Sequence, residues 1–222
     1  MLPPQALRKA LPALPRIPLR GPWYRAVNYD HLVGPPPGSP AVLAPQPLWP
    51  GGAARKGARF TPRMPTTAGA QPPGASGIDC LYLAEDELTP VLEIAGVLRP
   101  AGSRVPLRFE PQVIMTVDGV LTDVLDLTDV STQQALGTTH QELTGAWLVQ
   151  QSRYLAGQGP PPPTQLLGQE AFGVRHVVAL RYPSSKNPTG VGLVVFTGRL
   201  RPNQHSLAVF NQRVGKLQQS LP

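Results

Sequence analysis

The sequence predicts an α+β fold: a mixed sheet core with short flanking helices and long Pro/Gly-rich loops. Three observations lead there. Leu81 to Ala84 is a short apolar and aromatic run of strand type, and the pattern changes to a helical one within a few residues. Thr89 can cap that helix, Pro90 fits its first position, and Val91, Leu92, Ile94, Ala95 and Leu98 supply an apolar face. Elsewhere, strands and helices mix irregularly, without the steady alternation of a parallel sheet. Finally, 17 of the 29 prolines lie in residues 1–75, where they remove backbone donors and interrupt helices.

Taken in order, residues 1–20 read as a basic, proline-rich arm, flexible or loosely packed, ahead of a domain covering 21–222. Trp23 to Val27 is the first strand-like segment. Residues 34–52 form a Pro/Gly loop, and Lys56 to Pro62 a turn that sets basic residues beside Phe60. Gly57 permits a tight backbone there, and Pro62 holds Thr61 extended. Residues 63–79 form a second Gly/Pro-rich loop. After the Glu93 helix, Gln112–Val117 and Val120–Leu127 read as two strands. Ser131 or Thr132 caps a short helix ending near Gly137, and Thr139 caps a longer one through Leu143 and Trp147 to about residue 151. Pro160 to Pro163 is a rigid spacer, and Thr164 caps the helix that follows. His176–Leu180 and Gly192–Phe196 read as buried strands, separated by an exposed polar loop from Tyr182 to Pro188. Leu207 to Phe210 adds a last edge strand before a short carboxy-terminal helix. No internal repeat is visible.

Charge narrows the function classes. Residues 1–75 carry nine Lys/Arg against the single acid Asp30, whereas residues 76–222 carry eleven against twelve. The net charge of +7 therefore belongs to the first third. No aromatic residue interleaves with the arm's charges to stack on bases, so direct nucleic-acid binding is not expected. Cys80 is the only cysteine, which rules out an internal disulfide and any CxxC metal pair, and a reducing, cytoplasmic setting is the simplest inference. His31, His140, His176 and His205 lack ligand spacing, so no metal is expected. No apolar run approaches a membrane span, and the prolines of residues 1–20 interrupt any signal-peptide core.

No nucleophile elbow, HExxH, P-loop or GxGxxG fingerprint is present. The polar residues set among apolar or strand-flanking neighbours are Arg25, Arg59, Tyr82, Glu93 and Ser184. On periodicity alone, Glu93 reads as an exposed residue on the outer face of its helix. Together, though, these residue types suit an anionic ligand with a flat ring and a sugar. Arginine forks bind pyrophosphate oxygens, a tyrosine face stacks on a heterocycle, and a carboxylate stabilises positive charge on a ribose whose leaving group departs.

Tyr24-Arg25, then Gly57 to Pro62, then Leu81 to Ala84 with Glu93 eleven residues after Tyr82, resemble the RES-domain family. Asp126-Leu127-Thr128, Trp147, Pro163-Thr164-Gln165, Leu167-Gly168, Tyr182-Pro183-Ser184 and Gly192 to Phe196 follow in the family's order. The resemblance runs from about residue 22 to 210. Ala58 and Thr61 depart mildly from the family's Gly-Gly-Arg and Asn-Pro positions.

The resemblance implies a fold similar to mono-ADP-ribosyltransferases, NAD as substrate, a toxin of a toxin–antitoxin system and an Xre-type antitoxin as partner. An oligomer of the chain, or a complex with that antitoxin, goes with it. Carried over by position, Arg25 and Arg59 hold NAD phosphates or ribose, and Tyr82 stacks beside nicotinamide. Glu93 supports the oxocarbenium-like ribosyl centre, and Ser184, with Ser185 and Asn187 of the same loop as competitors, orients the cofactor. Glu93, Arg59 and Tyr82 form the expected catalytic set; Arg25, Arg59, Tyr82 and Ser184 the expected cofactor contacts. The expected reaction is cleavage of the nicotinamide–ribose bond with transfer to water or phosphate. Transfer to a protein side chain is the alternative at the same site, and a non-catalytic protein binding through its basic arm is the alternative of another class.

Overall fold

The computed structural model describes residues 1–29, 47–50, 53, 57–63, 78–98, 112–211 and 216–222. The loops read at 34–52 and 63–79 lie largely outside the described residues.

The chain folds as α+β, around an eight-stranded mixed sheet. Its strands are β1 (Ile17–Arg20), β2 (Trp23–Asn28), β3 (Cys80–Ala84), β4 (Gln112–Asp126), β5 (Ala179–Pro183), β6 (Val191–Phe196), β7 (Ser206–Asn211) and β8 (Lys216–Leu221). The described helices of the α type are α1 (Pro4–Ala10), α2 (Leu88–Leu98), α3 (Val130–Ala135), α4 (His140–Leu143), α5 (Trp147–Leu155) and α6 (Pro163–Gly173).

Strand order is β2-β3-β6-β5-β4-β7-β8, and β2 also pairs with β4, so the circuit β2-β3-β6-β5-β4 closes on itself. Strand β4 makes this closure feasible. Its first half pairs with β2, from Trp23↔Val117 to Asn28↔Gln112. Its last residues run parallel to β5, from Val124↔Ala179 to Asp126↔Arg181. The remaining ladders are antiparallel.

Side chains alternate along each strand and divide the interior into two cores. Cys80, Leu125, Leu180, Tyr182, Val194 and Phe196 face one, shared with leucines of α1, α4 and α6. Trp23, Leu81, Leu83, Val117, Leu193 and Val195 face the other.

Several expectations need correction. Residues 1–20 are not loosely packed. Pro4 suits the first turn of α1, Leu7 and Leu11 are fully buried, and β1 pairs antiparallel with β4. Trp23 to Val27 therefore lies in the second strand. The two strands read around residues 112–127 are one, because Gly119 continues the ladder where a Cβ would meet the Ser206 carbonyl oxygen at 2.0 Å. The carboxy-terminal helix is strand β8, which places β7 inside the sheet rather than at its edge.

Caps move upstream. Asp86 accepts from the backbone N–H groups of Leu88 and Thr89, so Thr89 lies inside α2 rather than capping it. Asp129, not Ser131 or Thr132, caps α3. Thr139 does cap a helix, but one that stops at Leu143, with α5 starting afresh at Trp147. Pro163 opens α6 rather than ending a spacer, and Thr164 lies within that helix without capping it. Strand β5 starts at Ala179, so Tyr182 and Pro183 are buried strand residues rather than an exposed loop.

Candidate active site

The site is built on three neighbouring strands, β3, β6 and β5, and on the segments that leave them. Strand β3 leads through Asp86 into α2, which carries Glu93. Strand β5 leads into the loop Ser184–Gly190. That loop is folded around one hydroxyl. Ser184 Oγ accepts from the backbone N–H groups of Lys186 and Asn187, both at 3.1 Å. Its two lone pairs are thereby occupied, so its single proton goes to Glu93 Oε1, at 2.7 Å. The same Glu93 oxygen accepts from the Ser185 backbone N–H at 3.1 Å. One carboxylate oxygen is held by two hydrogen bonds, and the other, Oε2, has none among the described residues.

A second tie lies one helical turn earlier. Asn187 Nδ2 donates to Thr89 Oγ1 at 2.9 Å, and Thr89 Oγ1 donates in turn to Asp86 Oδ2 at 2.5 Å. Thr89 and Glu93 are four residues apart and so share one face of α2. Both reach the same loop, and Glu93 is half-buried there rather than on an outer face.

Arg59 enters from the turn Ala58–Thr61, whose end residues exchange backbone hydrogen bonds of 2.8 and 3.1 Å. Gly57 precedes it at φ +75°, in the left-handed region that favours glycine. Gln165 of α6 donates to the Ala58 carbonyl at 2.9 Å and to Gln151 at 2.6 Å. Tyr82 grips the turn from the sheet: its phenol oxygen accepts from the Phe60 N–H at 3.0 Å and lies 3.0 Å from Thr61 Oγ1. Burial raises the Tyr82 pKa well above the usual phenol range, so the hydroxyl stays neutral.

Arg59 is 5% exposed. Nη1 donates to the Leu143 and Gly145 carbonyls at 2.7 and 3.1 Å, and Nη2 to Ser185 Oγ at 2.5 Å. The structure thus brings Arg59, Tyr82, Glu93 and Ser184 into one connected group.

Arg25 is not part of that group. Tyr24 pairs with Ala84 and shares the face of Tyr82, so alternation along β2 turns Arg25 to the opposite face, where it pairs with Met115. Its Nη2 donates to the Trp49 carbonyl at 2.9 Å, and its Nη1 is buried with no hydrogen-bond partner among the described residues. Burial lowers its pKa to about 10.

Sequence reasoning missed Tyr182, and it left Ser185 as a competitor of Ser184 in one loop. The Tyr182 ring lies 4.8 Å from that of Phe60, and a Cβ at its cross-strand partner Gly192 would fall 2.4 Å from Tyr182 Cζ. Burial raises its pKa first, the Glu93 charge raises it further and the Arg59 charge opposes. The available signal was Gly192 itself, since a glycine inside a strand marks close approach. Ser185, Ser184 and Asn187 were indistinguishable in sequence, and the structure gives each a separate partner.

Among the described residues no group of three or more His, Cys, Asp or Glu side chains could hold a metal ion. No described helix is long and apolar enough to cross a membrane. Residues 23–216 match the family model described as RES domain. No curated protein and no solved structure matches the chain.

Proposed function

The chain belongs to the RES domain family, and from that membership and the setting of Glu93 we propose that it consumes NAD by cleaving the bond between nicotinamide and ribose. RES domains are toxin domains that act on NAD. In the proposed reaction the C1′–N bond breaks and its electron pair stays with the pyridinium nitrogen, which becomes neutral. Positive charge grows on the ribose, where a carboxylate stabilises it. Water then adds at C1′ and releases a proton.

The observation that carries this reading is the asymmetry of Glu93. Oε1 accepts from Ser184 Oγ and Ser185 N, while Oε2 has no described donor. Such a carboxylate is oriented before the ligand arrives, which is how fixed charge contributes most to a cationic transition state. The Tyr82 ring is half-buried with its hydroxyl tied to the Ala58–Thr61 turn, and a ring held in this way can stack on a planar heterocycle. An Xre-type antitoxin is the partner this reading expects, in the cytoplasm where it would protect the cell's NAD.

The test is nicotinamide release from NAD by the purified full chain, with Glu93→Ala alongside. Release by the wild type and a fall of roughly 100-fold or more in the variant is the expected result. Equal NAD loss with both proteins removes Glu93 from the reaction; no loss with either removes the function.

A further inference from the structure

We propose that Arg59 is a positioning residue: its guanidinium braces Ser185, and through Ser185 the Glu93 carboxylate, instead of gripping the phosphates of a ligand. The proposal rests on the reading that Glu93 serves the ribosyl centre.

Four observations converge. Arg59 is almost wholly buried, and its Nη1 and Nη2 are both engaged by protein acceptors. Those acceptors are two backbone carbonyls at the end of α4 and one hydroxyl; among the described residues no carboxylate pairs with it. Second, the partner Ser185 is the residue whose backbone N–H holds Glu93 Oε1. The hydroxyl faces the arginine while the N–H faces the acid, so one residue links the two charges. Third, the turn bearing Arg59 is fixed on several sides, by its own backbone bonds, by Gln165 and by the Tyr82 phenol. The arginine is not a side chain waiting for an anion to order it. Fourth, the fork geometry is used as a fork. Nη1 and Nη2 point to different segments, the end of α4 and the Ser184–Gly190 loop, so two separate nitrogens of one planar group serve the two segments.

Swinging Arg59 onto a phosphate would strip the Leu143 and Gly145 carbonyls of a buried donor and release Ser185. The same three contacts that exclude a phosphate role explain why an arginine is needed: it ties the α4 corner to the loop that aligns the acid.

The test uses Arg59→Lys, Ser185→Ala and the double variant of the full chain. With NAD, each single variant should lower kcat by about 10- to 100-fold, as expected for misplacing a reacting group by about 1 Å, with KM within about twofold of the wild type. The double variant should fall little further, because both changes break one link. Crystal structures of the single variants should show Glu93 Oε1 out of hydrogen-bond distance of Ser185 N. A raised KM with kcat retained in Arg59→Lys, or Glu93 still bonded to Ser184 and Ser185 in both variants, overturns the proposal. The crystallographic result decides it even if the wild type releases no nicotinamide, an outcome that would sink the NAD reading alone.

Discussion

Gly168 of α6 lies so close to Phe60 that a Cβ there would sit 1.9 Å from the Phe60 carbonyl oxygen. The obstacle is backbone, not the tip of a flexible side chain. Helix α6 therefore seats directly against the turn that carries Arg59, and Gln165 hydrogen-bonds the same turn one helical turn earlier.

Gly168→Ala is expected to push the turn away from α6. Overpacking of this kind costs about 1–3 kcal/mol. For a chain of this size that corresponds to a fall in Tm of roughly 3–10 °C. Thermal unfolding followed by circular dichroism measures it. An unchanged Tm would mean that the turn gives way freely and that α6 does not set its place.

Leu7→Ala tests the packing of the amino-terminal segment. Leu7 is fully buried in the core that also holds Phe60, Leu143 and Leu167. Removing a buried leucine side chain costs about 2–5 kcal/mol. A loosely attached arm would tolerate the change with almost no loss. Chemical denaturation of the two proteins separates these outcomes.

His205 gives stability a pH dependence. Its Nδ1 accepts from the Arg201 backbone N–H at 2.9 Å, and Thr122 Oγ1 lies 3.1 Å from Nε2. Burial lowers its pKa below 6.5 and the charge of Arg201 adds to that; Asp123 opposes. The folded protein thus resists a proton that the unfolded chain accepts. Stability from this group is full at neutral pH and declines as pH falls below about 6.5. His205→Gln, which cannot titrate, should flatten that part of the Tm–pH curve. A curve of the same shape for both proteins would assign the dependence elsewhere.

The strand–helix unit from Leu81 to Leu98 is legible in sequence because it rests on local signals: an apolar run, a change of period and a proline suited to a first helical turn. Glu93, Ser184, Tyr82 and Arg59 are legible as a set through the resemblance of short, ordered motifs to the RES-domain family. Their bonding is not. The Leu143 and Gly145 carbonyls meet Arg59 from 84 and 86 residues away, and no local pattern announces a backbone acceptor. Arg25 shows the converse. It follows Tyr24 directly in the motif, yet one residue along a strand reverses the face. The amino-terminal segment is misread because its prolines suggest an arm, whereas Pro4 begins a helix and Leu7 and Leu11 anchor it. Helix caps are misplaced by a few residues because Asp86 and Asp129 compete with nearby threonines and serine for the same duty.

The helix of the acid hangs from β3 and the loop that grips it hangs from β5, with β6 paired to both. Two inter-strand spacings, about 9–10 Å, separate their roots. That interval is a dimension of the hydrogen-bonded backbone itself. Surface residues around the acid can therefore diverge between relatives while its address stays put; a lost rung of the β6 ladder would move it.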